Sequence, residues 1–313
     1  MKMPVDAIAA PVMDFPAKPE PHPWLPVLAL LAVVLLWGIS YPTMKIVVQA
    51  LGPWAVMWAR MAVAMAILAP LAPRLMPREV RKGDLLPLLL MALCMPCLYF
   101  LFEANALRYT SSAQAGVISS SVPLLVAVGA RLFLAEPLSR TTLAGLVLAI
   151  AGVAWLTLAG APSESAANPL LGNTLEMGAM LCAAASMLLI KRLSERWSPW
   201  TLTAAQTVCG FLFFLPGAPA VLSGAPLAHG WPVLLTLLFL GSCVTLGAFG
   251  LYNWGMSRLP ASSASAFINL VPVTAVLMGW LILGETLNPA QLAASACVLA
   301  GVWLSQGGRR RRP

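Results

Sequence analysis

Among the ionisable side chains that stand inside long apolar runs of this 313-residue chain, Lys45 and Glu103 are the two that could do chemistry. A charge at that depth is costly and marks a partner, a cavity or a proton path. Sealing a carboxyl from water favours its protonated form, and a nearby cation favours its ionised form. Glu103 is therefore the candidate coupling residue, able to hold a proton or a substrate ammonium. Lys45 is the candidate contact for a substrate carboxylate or for Glu103 itself. Tyr99 lies one helical turn before Glu103 on the same face. Trp37, Ser40 and Tyr41 precede Lys45 in its run, and Gln114 and Ser121 lie in another. Ser262, Ser265 and Asn269 follow each other at spacings of three and four, which places them on one helical face, with Pro272 three residues later. These eleven residues form the candidate substrate-binding set. Two other charged residues read as structural. Glu176 follows Asn173 by three, the spacing of a capping box. Arg60 reads as a buried anchor to helix carbonyls.

The chemistry that is missing narrows the field. The only histidines are His22 and His229, both outside the apolar runs. No H-E-x-x-H, Walker or Rossmann pattern occurs, so no metal, nucleotide or other cofactor is expected. Cys94-Met-Pro-Cys97 has the C-x-x-C form, but all six cysteines lie in apolar runs, where cysteine is ordinarily a small packing residue.

What must position these side chains is a set of membrane helices. The chain is 60% hydrophobic and 10% charged, against about 25% charged in a soluble domain. Ten apolar runs approach the length of a span, at 27–49, 53–73, 84–106, 111–134, 140–160, 173–193, 199–222, 231–254, 261–283 and 288–306. They are continuously apolar, unlike the alternating strands of a barrel. The net charge of +8 is distributed by side. With the N-terminus inside, the inner loops and tails carry Arg74, Arg78, Arg81, Lys82, Arg140, Lys191, Arg192, Arg196, Arg258 and Arg309 to Arg312, whereas the outer loops carry only Arg108. This asymmetry predicts a multi-pass protein of the inner (plasma) membrane with both termini cytoplasmic, and it explains the basic tail without nucleic acid. The Pro-rich segment 1–26 reads as a disordered cytoplasmic tail, and 307–313 as a basic cytoplasmic one.

The runs repeat. Val122-Pro123, Glu136, Leu138 and Ala151-Gly152 recur as Val271-Pro272, Glu285, Leu287 and Ala300-Gly301, each 149 positions later. Glu136 and Glu285 end their runs just before helix starts at Ser139 and Asn288-Pro289, where a carboxylate accepts the free amides of the next helix. Lys45 and Lys191 are also repeat mates. Five spans is an odd number, so the second half must enter the bilayer inverted. The expected fold is an all-α membrane protein of ten transmembrane helices in two inverted five-helix repeats, 27–160 and 173–306. Such repeats place a site near the midplane, between the halves.

Trp37-Gly38 with Lys45, the small-residue openings of runs four and nine, and Pro-x12-Glu-x-Leu in both halves resemble the drug/metabolite transporter superfamily, and within it the EamA-type family. The resemblance covers residues 27–306. It implies a secondary transporter, not an enzyme, that exports amino acids or related small metabolites by alternating access. Its partners are then a small-molecule substrate and the lipid bilayer, and it works as a monomer or dimer. The four-span multidrug relatives carry a membrane Glu in their first span, and this chain has none there. An intramembrane thiol-redox or other enzyme, or a non-transporting sensor on the same scaffold, is the alternative.

Overall fold

The computed structural model describes residues 24–71, 82–133, 139–160, 162–164, 166–193, 197–256, 267 and 270–307. Glu136, Ser262, Ser265 and Asn269, and nearly all of both tails, lie outside that set. Apart from one isolated β-bridge between Ser163 and Ala166, the regular structure described is helical. In chain order the helices are α1 Leu25–Leu51, α2 Pro53–Leu68, α3 Lys82–Ala92, α4 Tyr99–Tyr109, α5 Ser112–Ser119, α6 Val122–Phe133, α7 Arg140–Leu158 and α8 Pro169–Leu193. They continue with α9 Pro199–Phe213, α10 Ala218–Leu222, α11 Trp231–Phe239, α12 Phe249–Met256, α13 Val271–Leu283 and α14 Pro289–Gly307.

By length and composition, seven helical stretches among the described residues are fit to cross a membrane: α1, α2, α3 with α4, α5 with α6, α7, α8, and α11 with α12. The segment containing α9 and α10 is an eighth, bent by 53°. Two shorter apolar helices, α13 and α14, complete the set. Several runs that read as continuous in the sequence are therefore broken. Pro96 sits in a π-helical segment, Leu93–Leu98, between α3 and α4, with non-helical backbone at Met95. Pro216 separates α9 from α10. A turn at Ser120-Ser121 separates α5 from α6, and the hydroxyls of Ser119 and Ser120 donate back to the carbonyls of Gly116 and Val117. A second π-helical segment, Leu240–Ala248, lies between α11 and α12, at the repeat position matching Leu93–Leu98. Pro42, by contrast, is carried within α1.

The polarity is distributed as lipid demands. Large apolar side chains such as Leu86, Phe133, Leu158 and Trp303 face outward, while Lys45, Arg60, Glu103, Gln114, Glu176 and Glu285 are buried. One apolar core joins α1, α2, α4, α11 and α13 around Met44, Met57 and Leu240. A second joins α5, α7, α8 and α14 around Ile118, Leu156 and Val298.

The second core contains the most extensively packed helix pair among the described residues. α7 and α14 occupy equivalent places in the two halves, and the start of each lies beside the end of the other. Thr142 donates to the Ser305 carbonyl at 3.2 Å, and Asn288 donates to the Ala159 carbonyl at 3.1 Å. The repeated glycines make this approach possible, since their missing side chains bring backbone against backbone. A Cβ at Gly301 would stand 2.6 Å from both the Ala149 amide nitrogen and the Gly145 carbonyl oxygen, and one at Gly152 would stand 2.8 Å from the Val298 nitrogen. Gly301→Leu is expected to force α7 and α14 apart and to cost about 1–3 kcal/mol or more. The thermal unfolding midpoint of the purified variant in detergent should fall. An unchanged midpoint would mean that the two helices do not meet there.

Candidate functional site

Glu285 is placed by its own helix end. Gly284 follows α13 with a φ of 65°, a conformation that suits glycine. Its amide donates to the Trp280 carbonyl, and the Glu285 amide donates to Gly279. The chain is thereby folded back, so that the Glu285 carboxylate points into the bundle and not toward α14. It accepts from the Ser112 amide at 3.1 Å and the Ser112 hydroxyl at 2.6 Å. It also accepts from the Ala113 amide at 3.1 Å, and it pairs with Lys45 Nζ at 2.8 Å. Lys45 also donates to the Thr110 carbonyl at 2.8 Å. The Gly279 face leaves room for this, because a Cβ there would meet both Ser112 Oγ and Glu285 Oε2.

Two expectations are corrected by this arrangement. Glu285 does cap a helix, but the helix is α5 of the first half and not the α14 that follows it. α14 is capped by its own box instead: the Asn288 amide donates to Gln291 Oε1 at 2.9 Å, and the Gln291 amide donates to Asn288 Oδ1 at 2.8 Å. Lys45 pairs with Glu285 and not with Glu103, because the α5 N-terminus draws the carboxylate to the end of the bundle where Lys45 lies.

A polar network continues from this ion pair. Thr110 donates its hydroxyl hydrogen to Asn173 Oδ1 at 2.6 Å. Asn173 donates in turn to Gln114 Oε1 at 2.9 Å and Thr157 Oγ1 at 3.1 Å. The capping box expected of Asn173 and Glu176 is thus absent. α8 starts at Pro169, with Asn168 accepting from the Leu171 amide, which leaves Asn173 and Glu176 inside the helix. Both Glu176 carboxyl oxygens are buried without a hydrogen-bond partner.

Deeper in the bundle, Tyr99 donates to Glu103 at 2.6 Å along one face of α4. Tyr41 lies beside Tyr99 and Ser119, with its ring over Gly116. Glu176 and Glu103 are within electrostatic reach of one another, and Glu103 is within reach of Arg60. The carbonyl-anchor reading of Arg60 is also corrected. Its Nε donates to Thr245 Oγ1 at 2.6 Å, its Nη1 approaches the Met44 sulfur at 3.7 Å, and its guanidinium lies 4.3 Å from the centre of the Phe100 ring.

A cavity of about 40 Å³ opens beside this cluster, walled by Met61, Met95, Phe100, Gln206, Thr245 and Phe249 among others. That is room for water and not for a metabolite. Trp37 packs against Phe249 and Tyr252, with ring centres 5.8 and 5.5 Å away. Ser40 donates within its own helix to the Trp37 carbonyl, and Ser121 contacts the Met177 sulfur at 3.9 Å. The fold thus gathers Tyr41, Tyr99 and Glu103 in one cluster. Lys45 and Gln114 go to the polar network, and Trp37 to the aromatic cluster. Thr245 and Gln206 are additions that the sequence did not single out, and Glu176, expected to be a capping residue, is instead an interior carboxyl. Glu176 could have been found by counting it eight residues into a helix that starts at Pro169, too far along to cap it.

The profile of the EamA-like transporter family matches residues 24–158 and 170–306. The transporter YetK of Bacillus subtilis is 29% identical over 72% of this chain and 68% of its own length. A probable terminal-alkyne amino-acid exporter of Streptantibioticus cattleyicolor is 28% identical over 90% of this chain and 95% of its own. A probable amino-acid metabolite efflux pump of Salmonella typhimurium is 27% identical over 91% and 95%. A solved crystal structure superposes with a TM-score of 0.57 at 19% identity, covering 92% of this chain and 99% of that one, which shows a shared fold.

Breaking one side of a buried ion pair typically costs about 3–5 kcal/mol, because the remaining charge is stranded. Lys45→Met and Glu285→Gln should each lower stability, and the double variant should lose less than the sum of the two. A double-mutant cycle on unfolding in detergent is expected to give a coupling of at least about 1 kcal/mol. Additive losses would show that the two side chains do not pair in the protein.

Proposed function

Because this chain belongs to the EamA-like transporter family, we propose that it is a secondary transporter of the inner membrane that exports amino acids or related small metabolites. The observation that carries this reading is the cluster of Glu103, Glu176 and Arg60 buried inside an apolar bundle. Structural needs alone give little reason to keep these groups there together, since a whole buried charged cluster is often replaced by apolar packing of similar volume at no loss of stability. The two relatives whose names mention amino-acid export run nearly the full length of this chain and agree with the reading.

The mechanism is alternating access between two inverted five-helix repeats, 27–160 and 173–306, with both termini cytoplasmic. The head-to-tail pairing of α7 with α14 supports inversion, since helices at the same repeat position then run in opposite directions. In that topology the Lys45–Glu285 pair lies at the outer end of the bundle. It ties α1 and the α5 start of one half to the α13 end of the other, and so holds the outer entrance shut. The substrate site lies below it, bounded by Tyr41, Tyr99 and Glu103, with Trp37, Ser40, Gln114 and Ser121 nearer its rim. Ser262, Ser265 and Asn269, which lie outside the described residues, remain candidates for the same site on their sequence spacing alone.

Glu103 couples transport to protons. Sealed from water, its carboxyl is neutral, and Tyr99 holds it in place. When the pocket is wetted, the proton leaves and the carboxylate is free to take a substrate ammonium. Proton and substrate then compete for one group, which is the requirement for exchange. Glu176 lies within electrostatic reach of Glu103, so the two carboxyls together disfavour a doubly charged sealed state.

The test is counterflow in proteoliposomes at a series of internal pH values. Wild-type transport should vary with pH, and Glu103→Gln should remove that dependence while leaving membrane insertion and a monodisperse purified protein. Persistence of the wild-type pH profile in Glu103→Gln would take Glu103 out of the coupling role.

A further inference from the structure

The two irregular segments of the fold, Leu93–Leu98 and Leu240–Ala248, occupy matching places in the two halves and face the same small cavity. π-helical insertions are rare in helices and concentrate at functional sites. Each supplies a polar atom there. The Met95 carbonyl accepts from Gln206 Nε2 at 2.8 Å, and the Thr245 hydroxyl accepts from Arg60 at 2.6 Å while donating to the Leu240 carbonyl at 2.8 Å. Thr245 and Phe100 both wall the cavity, and both touch the Arg60 side chain.

Arg60 is only 3% exposed. Its partners are a hydroxyl, a thioether and a ring face, all neutral, and the one salt bridge among the described residues is that of Lys45 with Glu285. A guanidinium fixed in orientation at membrane depth without a carboxylate bound to it is prepared for one that arrives from outside. The neighbouring carboxyl, Glu103, lies within electrostatic reach of Arg60 but forms no ion pair with it, and it accepts its hydrogen bond from Tyr99.

We propose that Arg60 is the receptor for the carboxylate of the transported molecule, and that the substrate class is zwitterions with an ammonium close to that carboxylate, as in α-amino acids. Phe100, under the guanidinium, and Glu103 are three residues apart on α4 and so lie on one helical face. A substrate carboxylate on Arg60 therefore brings its ammonium toward Glu103, and its side chain falls against Met61, Met95 and Phe249. The two methionines at that wall are unbranched and repack readily, which suits apolar side chains of differing shape. The site must widen to admit such a molecule, since the present cavity has room only for water, and the irregular segments are where the walls yield. This assignment rests on the export reading above and specifies its substrate.

The experiment uses reconstituted full-length protein and paired competitors of counterflow. L-Phenylalanine is set against phenethylamine, and L-leucine against isoamylamine, so that each pair differs by the carboxylate alone. Wild type should favour the acid by at least about ten-fold, the size of one charge-assisted hydrogen-bonded pair. Arg60→Gln should bring that ratio close to one, and Arg60→Lys should give an intermediate value. Thr245→Val keeps the charge but removes the bond that orients it, so the ratio should fall there as well. That variant decides the matter if Arg60→Gln does not purify as a monodisperse species. A wild type that moves the amines as well as the acids, or a folded Arg60→Gln that keeps the full preference, overturns the role of Arg60 and leaves the export reading standing. A wild type that moves neither kind of compound overturns both.

Discussion

A carboxylate sealed among membrane helices must be neutralised where it stands, and Glu285 shows how much of a fold one such requirement can organise. Its two oxygens collect an ammonium, a hydroxyl and two backbone amides, and these partners come from α1 and from the first turn of α5. The amides belong to a helix start, where free N–H groups and the helix dipole both favour an anion. Lys45 alone would be a buried cation, and the α5 start alone would present unpaired donors to an apolar bundle. One side chain from the second half answers both needs. The glycines around it follow from the same requirement: Gly284 turns the chain, and Gly279 leaves space for the carboxylate.

Beneath that pair the chemistry changes character. The outer network is satisfied bond by bond, from Thr110 through Asn173 to Gln114 and Thr157. The deeper cluster is not. Glu176 has no hydrogen-bond partner, Arg60 has only neutral ones, and Glu103 has the Tyr99 hydroxyl. A structural network is expected to close on itself, because each open polar atom costs free energy. A binding site has to stay open. On the proposed function, the contrast separates a lock from a site: the closed network is carried by α1, the start of α5, the end of α13 and α8, and the open cluster by α2, α4 and α8.

The sequence showed the membrane class, the two-half organisation and the family, because lipid imposes long apolar runs and duplication leaves a constant offset. It showed the Tyr99–Glu103 contact for the same kind of reason, since four residues along a helix is a fixed geometry. Glu285 was read as a cap because it stands at a helix end, but a cap for the wrong helix. Nothing in a linear pattern says that Gly284 folds the chain back toward a segment more than 170 residues away. Arg60 reads as a carbonyl anchor in the sequence for want of its partners, since Met44 and Thr245 reach it only through the tertiary packing of α2 against α1 and against the second half. Glu176 was misread through a displaced helix start: with α8 beginning at Pro169, a residue that resembled a cap became an interior carboxyl. The repeated Ala-Gly pairs were legible as a repeat, and their purpose, the close pairing of α7 with α14, needed the third dimension.

The central claim is that the Lys45–Glu285 pair holds the outer entrance shut and opens during the transport cycle. Spin labels at Arg108 and Thr286, both exposed beside the pair, report that opening directly through double electron–electron resonance in liposomes. A short distance should dominate at rest. A longer population should appear when a substrate gradient drives turnover, and it should become the main one when Glu285→Gln removes the pair. A single short distance under all these conditions, in a preparation that transports, would contradict the account.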